Sequence, residues 1–489
     1  MKKFQSHSFF LILLLVVFLP YLFYGFHYIP ILDDYIQYGC YPLYKPVSYV
    51  YTTIGTLATR PFSSLLDPVF WGQFRSFFGA ALLLVTLLHV ASAYFLDQTA
   101  KSFHLTLSPL FFLLFLACPL GMEGRYWLSA STRIITGLFF ASLSLFMLSR
   151  FLQKKQTVSR FFLFTLFQIL SFGFYESVAV FSALCAIFLF IFSFCKSRNK
   201  ALLFAPAITI INLFFCVLYY YIFRDLGKMG SRAGSFFLTN FFPNLRRVLQ
   251  QIGEVFSHSS SLKGSLWGIR LLLSKGFWGI IVFLMILFLS FVLCKLIPQE
   301  KKPSKQKILC LFVCGFLLFF APLLPHAMIA TVWITNRSLF VPTLGFALIL
   351  EGFMALFHKK QLKKILVFLT AFVFLTANIN EYDVYLRAGK LDEIILEKII
   401  VELDDDVLSG KKILQIVLPE KVTVTQNAYY KDHVSSVFDS SWALTGALRA
   451  KTKSLAIKHA EPLLKGEKTD KNAQVIVIEF AADSVILSP

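Results

Sequence analysis

A polytopic α-helical membrane protein ending in a small polar α/β domain is the fold class this sequence predicts, and three observations predict it. Hydrophobic residues fill 57% of the 489 positions, and the mean hydropathy is +0.69. Apolar runs long enough to cross about 30 Å of hydrocarbon recur along the chain. Acidic residues are held back to the carboxyl end: residues 1–380 carry 10, and residues 381–489 carry 17.

The apolar runs place about eleven transmembrane helices near residues 8–28, 76–96, 105–121, 133–152, 161–174, 177–195, 201–223, 270–296, 308–324, 338–357 and 365–380. Helices are required because lipid offers no partner to an unpaired backbone group. The first run follows Lys2 and Lys3 as a signal peptide would, but no small-residue cleavage site follows it, so it is expected to stay as a span. Basic residues sit in alternate loops: Lys2–Lys3, Lys154 to Arg160, Lys196 to Lys200, Lys301 to Lys307 and Lys359 to Lys364. They put the amino terminus in the cytoplasm and, with an odd number of spans, the carboxyl terminus outside.

Domain division follows the change in polarity, with a multi-span domain over 1–380 and an extracytoplasmic α/β domain over 381–489. In the latter, helices are expected at 384–403 and 441–458 and strands at 413–418 and 474–480. The loop 224–268 carries an amphipathic stretch from Phe236 to Phe256 that suits the membrane surface. The net charge of +20 reflects topology rather than nucleic-acid binding, since 33 of the 47 basic residues lie before residue 381. Of eight cysteines, Cys40 alone falls in an outer loop, and neither a disulfide framework nor a metal motif is implied. His27, His258 and His326 lie near the outer side without the helical spacing of a zinc site.

Most acids before the tail belong to the outer face. Asp33 and Asp34 follow the first span directly, Glu123 stands in Glu123-Gly124-Arg125-Tyr126-Trp127, and Glu176 ends Gly173-Phe174-Tyr175-Glu176. The run 161–174 spans only about 21 Å as a helix, so its outer end should be recessed into a cavity, where intramembrane carboxylates are tolerated. Arg60, Arg125, Arg133, Arg232 and Arg337 also fall in outer loops, against the topological bias. Guanidinium groups suit the paired oxygens of a phosphate. Each feature has a plainer reading: helix-capping aspartates, solvated loop acids, interfacial arginines. His89 is expected to pack, and Glu351 to meet Lys359 or Lys360 by snorkelling.

Taken together, the Asp-Asp loop after a first span, the acid and aromatic motif after the third, and an outer carboxyl domain resemble the GT-C class of integral-membrane glycosyltransferases. The likeness is nearest to bacterial enzymes of the glucosyl-, arabinosyl- or mannosyl-transferase type, which take sugar from a polyprenyl-phosphate carrier. The resemblance implies a catalytic carboxylate at Asp33 or Asp34, with Glu123 and Glu176 as supporting or metal-associated acids. It implies a polyprenyl-phosphate sugar and an extracytoplasmic glycan, lipid or protein acceptor as partners, in the bacterial cytoplasmic membrane. Arg125 stands where a second acid would complete an acid-x-acid pair, which counts against a bound divalent cation, so no metal ligands are assigned and a cation is not a firm cofactor. A lipid-linked saccharide flippase, an O-antigen polymerase or ligase with arginines in large loops, and a noncatalytic scaffold are the competing classes.

Overall fold

The computed structural model describes residues 2–44, 60–153, 157–197, 204–223, 238–258, 261–297, 304–329, 332–357, 359–419, 436–481 and 484–488. Each apolar run read from the sequence contains a helix. In order come α1 (Lys2–Tyr24), a short α2 in the first outer loop (Pro61–Val69), α3 (Phe78–Ser102), α4 (Pro109–Ala117), α5 (Glu123–Tyr126), α6 (Leu128–Gln153), α7 (Val158–Phe172), α8 (Glu176–Ser197) and α9 (Phe204–Phe223). There follow α10 (Phe241–His258), α11 (Ser261–Ser274), α12 (Gly276–Lys295), α13 (Lys305–Phe320), α14 (Leu324–Ala327), α15 (Pro342–Leu356) and α16 (Lys360–Val401).

Six helices among the described residues are long and apolar enough to cross a membrane, and four more apolar helices are shorter. The chain is therefore a mostly α-helical membrane protein, with length alone accounting for six of the eleven expected crossings. Phe214, Leu284, Phe288 and Leu309 are each more than half exposed, which marks the lipid-facing side of the bundle. At the α13–α15 contact, Cβ atoms on Gly315 or Gly345 would meet the facing backbone, so these glycines let the two helices approach closely.

Two elements depart from the sequence reading in ways that shape the site. The run 105–121 yields only the nine-residue α4, about 14 Å long, with every residue from Pro109 to Ala117 buried inside the protein. Its carbonyl end therefore stops within the bundle, and partners must be found there for its last C=O groups. Arg125 Nη1 donates to Leu116 O (2.8 Å) and Asn378 Nδ2 to Ala117 O (2.9 Å). Arg125 Nη2 also donates to Val17 O (2.7 Å), beside the helical bond that Pro20 cannot make for Val16. Val17 lies seven residues, about 10 Å, before the end of α1, so the Arg125 guanidinium is held well inside the length of that helix.

The second departure is α16, 42 residues and about 63 Å long, which runs through the expected boundary at residue 381. The helix expected at 384–403 is its continuation. The core itself changes two turns later: Tyr382, Tyr385 and Ala388 belong to the bundle, while Ile395, Leu396 and Ile399 belong to the tail.

The tail holds α17 (Asp405–Leu408), β1 (Leu414–Leu418), α18 (Ser441–Thr452), β2 (Ala460–Leu464), β3 (Gln474–Ala481) and β4 (Ser484–Ser488). The sheet order is β2-β1-β3-β4, with β1 parallel to both neighbours and β4 antiparallel at the edge. Sequence reading found β1, β3 and α18 but not the two short edge strands. The run 270–296 is likewise divided, α11 turning at Lys275 into α12.

Candidate functional site

After α1 the chain turns back over the bundle, and the turn carries two backbone irregularities. Leu32, immediately before the aspartates, has φ +43° in the left-handed region, a strained setting for a branched side chain. Tyr35–Cys40 then forms a π-helical turn, a widened geometry that recurs at functional positions.

Between them stand two carboxylates in different surroundings. Asp34 is fully buried and accepts the Tyr28 hydroxyl, the Ile31 N–H (3.1 Å) and the Ser129 N–H (2.8 Å). Tyr28 in turn accepts the Leu128 N–H (2.9 Å). Leu128 and Ser129 open α6, so Asp34 and Tyr28 together satisfy donors that the first turn of a helix leaves unpaired, and the negative charge lies at the positive end of the helix. Burial pushes the Asp34 carboxyl up to about 7, the opposing pull of its three donors notwithstanding. Asp33 is only half-buried.

Around this turn the predicted arginines meet acids. Arg133, two turns into α6, donates from Nη2 to Asp67 Oδ2 (2.6 Å), and burial still pushes Asp67 above the ordinary carboxylate range. Tyr38 bridges inward from the π-turn to Thr132 (2.7 Å). Arg60 grips Glu176 through Nε (3.0 Å) and Nη2 (2.9 Å) and stacks on Tyr175 at 4.3 Å. Arg337 donates its backbone N–H to Glu123 (3.0 Å), while its guanidinium lies 3.8 Å from the same carboxylate and 4.6 Å over the Trp127 ring. Trp333 stands 5.5 Å away on the exposed side.

Asp34 thus joins the turn after α1 to the head of α6, while Arg133 meets Asp67, Arg337 meets Glu123 and Arg60 meets Glu176. Arg125 departs from its expected place: 3% exposed, it closes α4 inside the bundle and does not line the outer side. Arg232 lies outside the described residues. His89 packs between Phe115 and Phe340, as expected of it. Glu351 accepts the Ser108 N–H (3.2 Å) and hydroxyl (2.6 Å), an anchor at the start of α4 that the lysine expectation did not include.

Sequence reading gave no role to Tyr28, Tyr38, Asp67 or Trp127. Tyrosines at 35, 38, 41 and 44, three apart, were a signal that this loop turns one face inward. Asp67 Oδ1 and Trp127 Nε1 are buried and have no hydrogen-bond partner among the described residues, so polar capacity is left over beside the acid turn. Among the described residues no three His, Cys, Asp or Glu side chains are grouped to hold a metal ion.

The tail reaches the same turn. Helix α18 lies on the π-turn so closely that a Cβ on Gly446 would overlap Ile36, and one on Gly39 would overlap Ala450. Cys40 Sγ donates to Gly446 O (3.1 Å). Asp392 of α16 accepts the Ser436 hydroxyl and the Val437 N–H (3.0 Å), tying the tail to the long helix.

Fold and site together define a mostly α-helical membrane protein with acid–arginine pairs around the turn after α1 and an α/β tail packed on that turn. Compared with known proteins, the chain matches no family model and no curated protein.

Proposed function

We propose that the chain is a membrane glycosyltransferase that moves a sugar from a polyprenyl-phosphate carrier to an extracytoplasmic glycan, lipid or protein acceptor. In this reading all eleven apolar runs cross the bacterial cytoplasmic membrane, with the amino terminus inside and the tail outside. The observation that carries it is the pairing at the first outer turn: a half-buried Asp33 beside an Asp34 that is committed to the head of α6.

Asp34 and Tyr28 fix the turn, and Asp33 is the general base. As the acceptor oxygen attacks the anomeric carbon, its proton passes to Asp33 while the bond from that carbon to the phosphate oxygen breaks, its electron pair leaving with the phosphate. A single displacement inverts the anomeric centre. The departing phosphate gains negative charge and needs cations already in place. Arg337 suits that task best, because its guanidinium contact with Glu123 is the longest of the three arginine–acid pairs. Trp333, 40% exposed, offers a stacking face to the sugar.

Purified protein incubated with radiolabelled polyprenyl-phosphate sugars tests the reading, first unaltered and then as Asp33→Asn. Full transfer by a correctly inserted Asp33→Asn protein ends the assignment of the base. Movement of lipid-linked sugar across vesicles without any transfer would assign a transporter instead.

A further inference from the structure

Away from the outer face, α15 and α16 both pack on α4 but stay apart from each other. Between them lies a cleft of about 560 Å³, within the size range of ligand sites. Its walls are apolar, among them Leu110 and Leu114 of α4, Phe353 and Phe357 of α15, and Leu369 and Phe374 of α16, with Thr370 as the single polar residue. Phe353 and Leu369 are about half exposed, so the cleft opens sideways rather than closing inside the protein.

The mouth of the cleft is cationic. Leu366, Thr370 and Val373 line it from one face of α16, and Lys363 stands one turn before them on that face. Lys359 precedes Lys363 by another turn, its carbonyl accepting the Lys363 N–H (3.3 Å). Among the described residues, none of Lys359, Lys360, Lys363 and Lys364 forms an ion pair. The first N–H groups of the long α16 add their own positive end at the same level.

We propose that this cleft seats a hydrocarbon chain of an anionic glycerophospholipid, with the lipid phosphate on Lys359 and Lys363. Charge complementarity selects the occupant. A basic pocket between helices at the cytoplasmic end of a bundle suits an anionic head group, and a zwitterionic lipid would bring its own ammonium among the lysines. Two lysines near the phosphate give a preference of about 30-fold for the anionic lipid.

The test uses the full chain carrying Phe353→Trp in nanodiscs of phosphatidylcholine, with unaltered protein as the fluorescence background. Brominated phosphatidylglycerol should quench the added tryptophan at about 30-fold lower mole fraction than brominated phosphatidylcholine. Lys359→Gln with Lys363→Gln should abolish that preference and leave quenching itself, and Lys305→Gln with Lys307→Gln on α13 should leave the preference intact. Equal quenching by the two lipids overturns the proposal. So does a preference that survives loss of Lys359 and Lys363, or one lost equally on removing Lys305 and Lys307, which would report bulk surface charge.

Discussion

Replacing Asp34 with Asn should reverse the order of stability between variant and parent as pH rises. In the folded protein burial holds the Asp34 carboxyl up to about 7, against an ordinary value of 3.8. Below pH ~4 the group is neutral whether the chain is folded or not and costs nothing. Between about pH 4 and 7 the unfolded chain releases the proton and the folded chain keeps it, so stability falls by about 1.4 kcal/mol per pH unit, about 4 kcal/mol in all. Above about pH 7 both states are ionised and the slope vanishes. Asn does not titrate, and its amide cannot accept from Tyr28, Ile31 and Ser129 together, so one buried donor is left over at about 1–3 kcal/mol. The variant should therefore be the less stable protein at pH 4 and the more stable at pH 8, the two curves crossing near pH ~5–6. Thermal unfolding in a nonionic detergent, followed by the fluorescence of the buried Trp71 and Trp127, reads the crossing directly. A constant gap between the curves from pH 4 to pH 8 would refute both the burial of the charge and the anchoring role built on it.

Other substitutions address the remaining pieces. Asp33→Asn should lower the turnover of sugar transfer by about 10²- to 10⁴-fold with little change in KM, read with radiolabelled donor. Arg133→Met leaves Asp67 buried and unpaired and should cost about 3–5 kcal/mol in the same unfolding assay. Adding Asp67→Leu should recover most of that loss, since the charge left alone is then gone. Arg125→Met removes three hydrogen bonds from carbonyls inside the bundle and should cost about 3 kcal/mol or more. Gly446→Val should lift α18 from the π-turn, so that Cys40, with the other cysteines changed to Ser, becomes reactive to a maleimide that the parent resists.

Much of the fold was legible because burial in lipid demands long apolar runs, and every such run contains a helix. What stayed hidden has physical causes. Hydropathy does not separate a run that faces lipid from one wrapped entirely in protein, and α4 is of the second kind. Nor does a rise in polarity stop a helix: α16 passes residue 381 without a break because its neighbours change from bundle to tail along one continuous ladder. The arginines illustrate the limit at the site. Their presence between or at the ends of apolar runs was readable, but the partners of Arg60, Arg133 and Arg337 lie 116, 66 and 214 residues away, and only folding brings the pairs together. Arg125 looked like one more cation for a phosphate, yet the ending of α4 within the bundle claims it first.

The two adjacent aspartates carry the sharpest consequence of the fold. As a pair in sequence they are interchangeable, and either would serve as a base. Folding separates them by what surrounds each carboxylate. Asp34 has three donors, no exposure and a helix end to neutralise, so its oxygens are occupied before any substrate arrives. Asp33, set between a strained Leu32 and Asp34, is only half-buried. Neighbouring acids whose environments diverge in this way divide the labour between holding and proton transfer. The same turn is clasped from above by α18 through Gly446 and Gly39, which makes the tail part of the turn's rigidity. A base held to a fraction of an ångström needs such support, because a small displacement of the reacting groups forfeits much of the rate that positioning supplies.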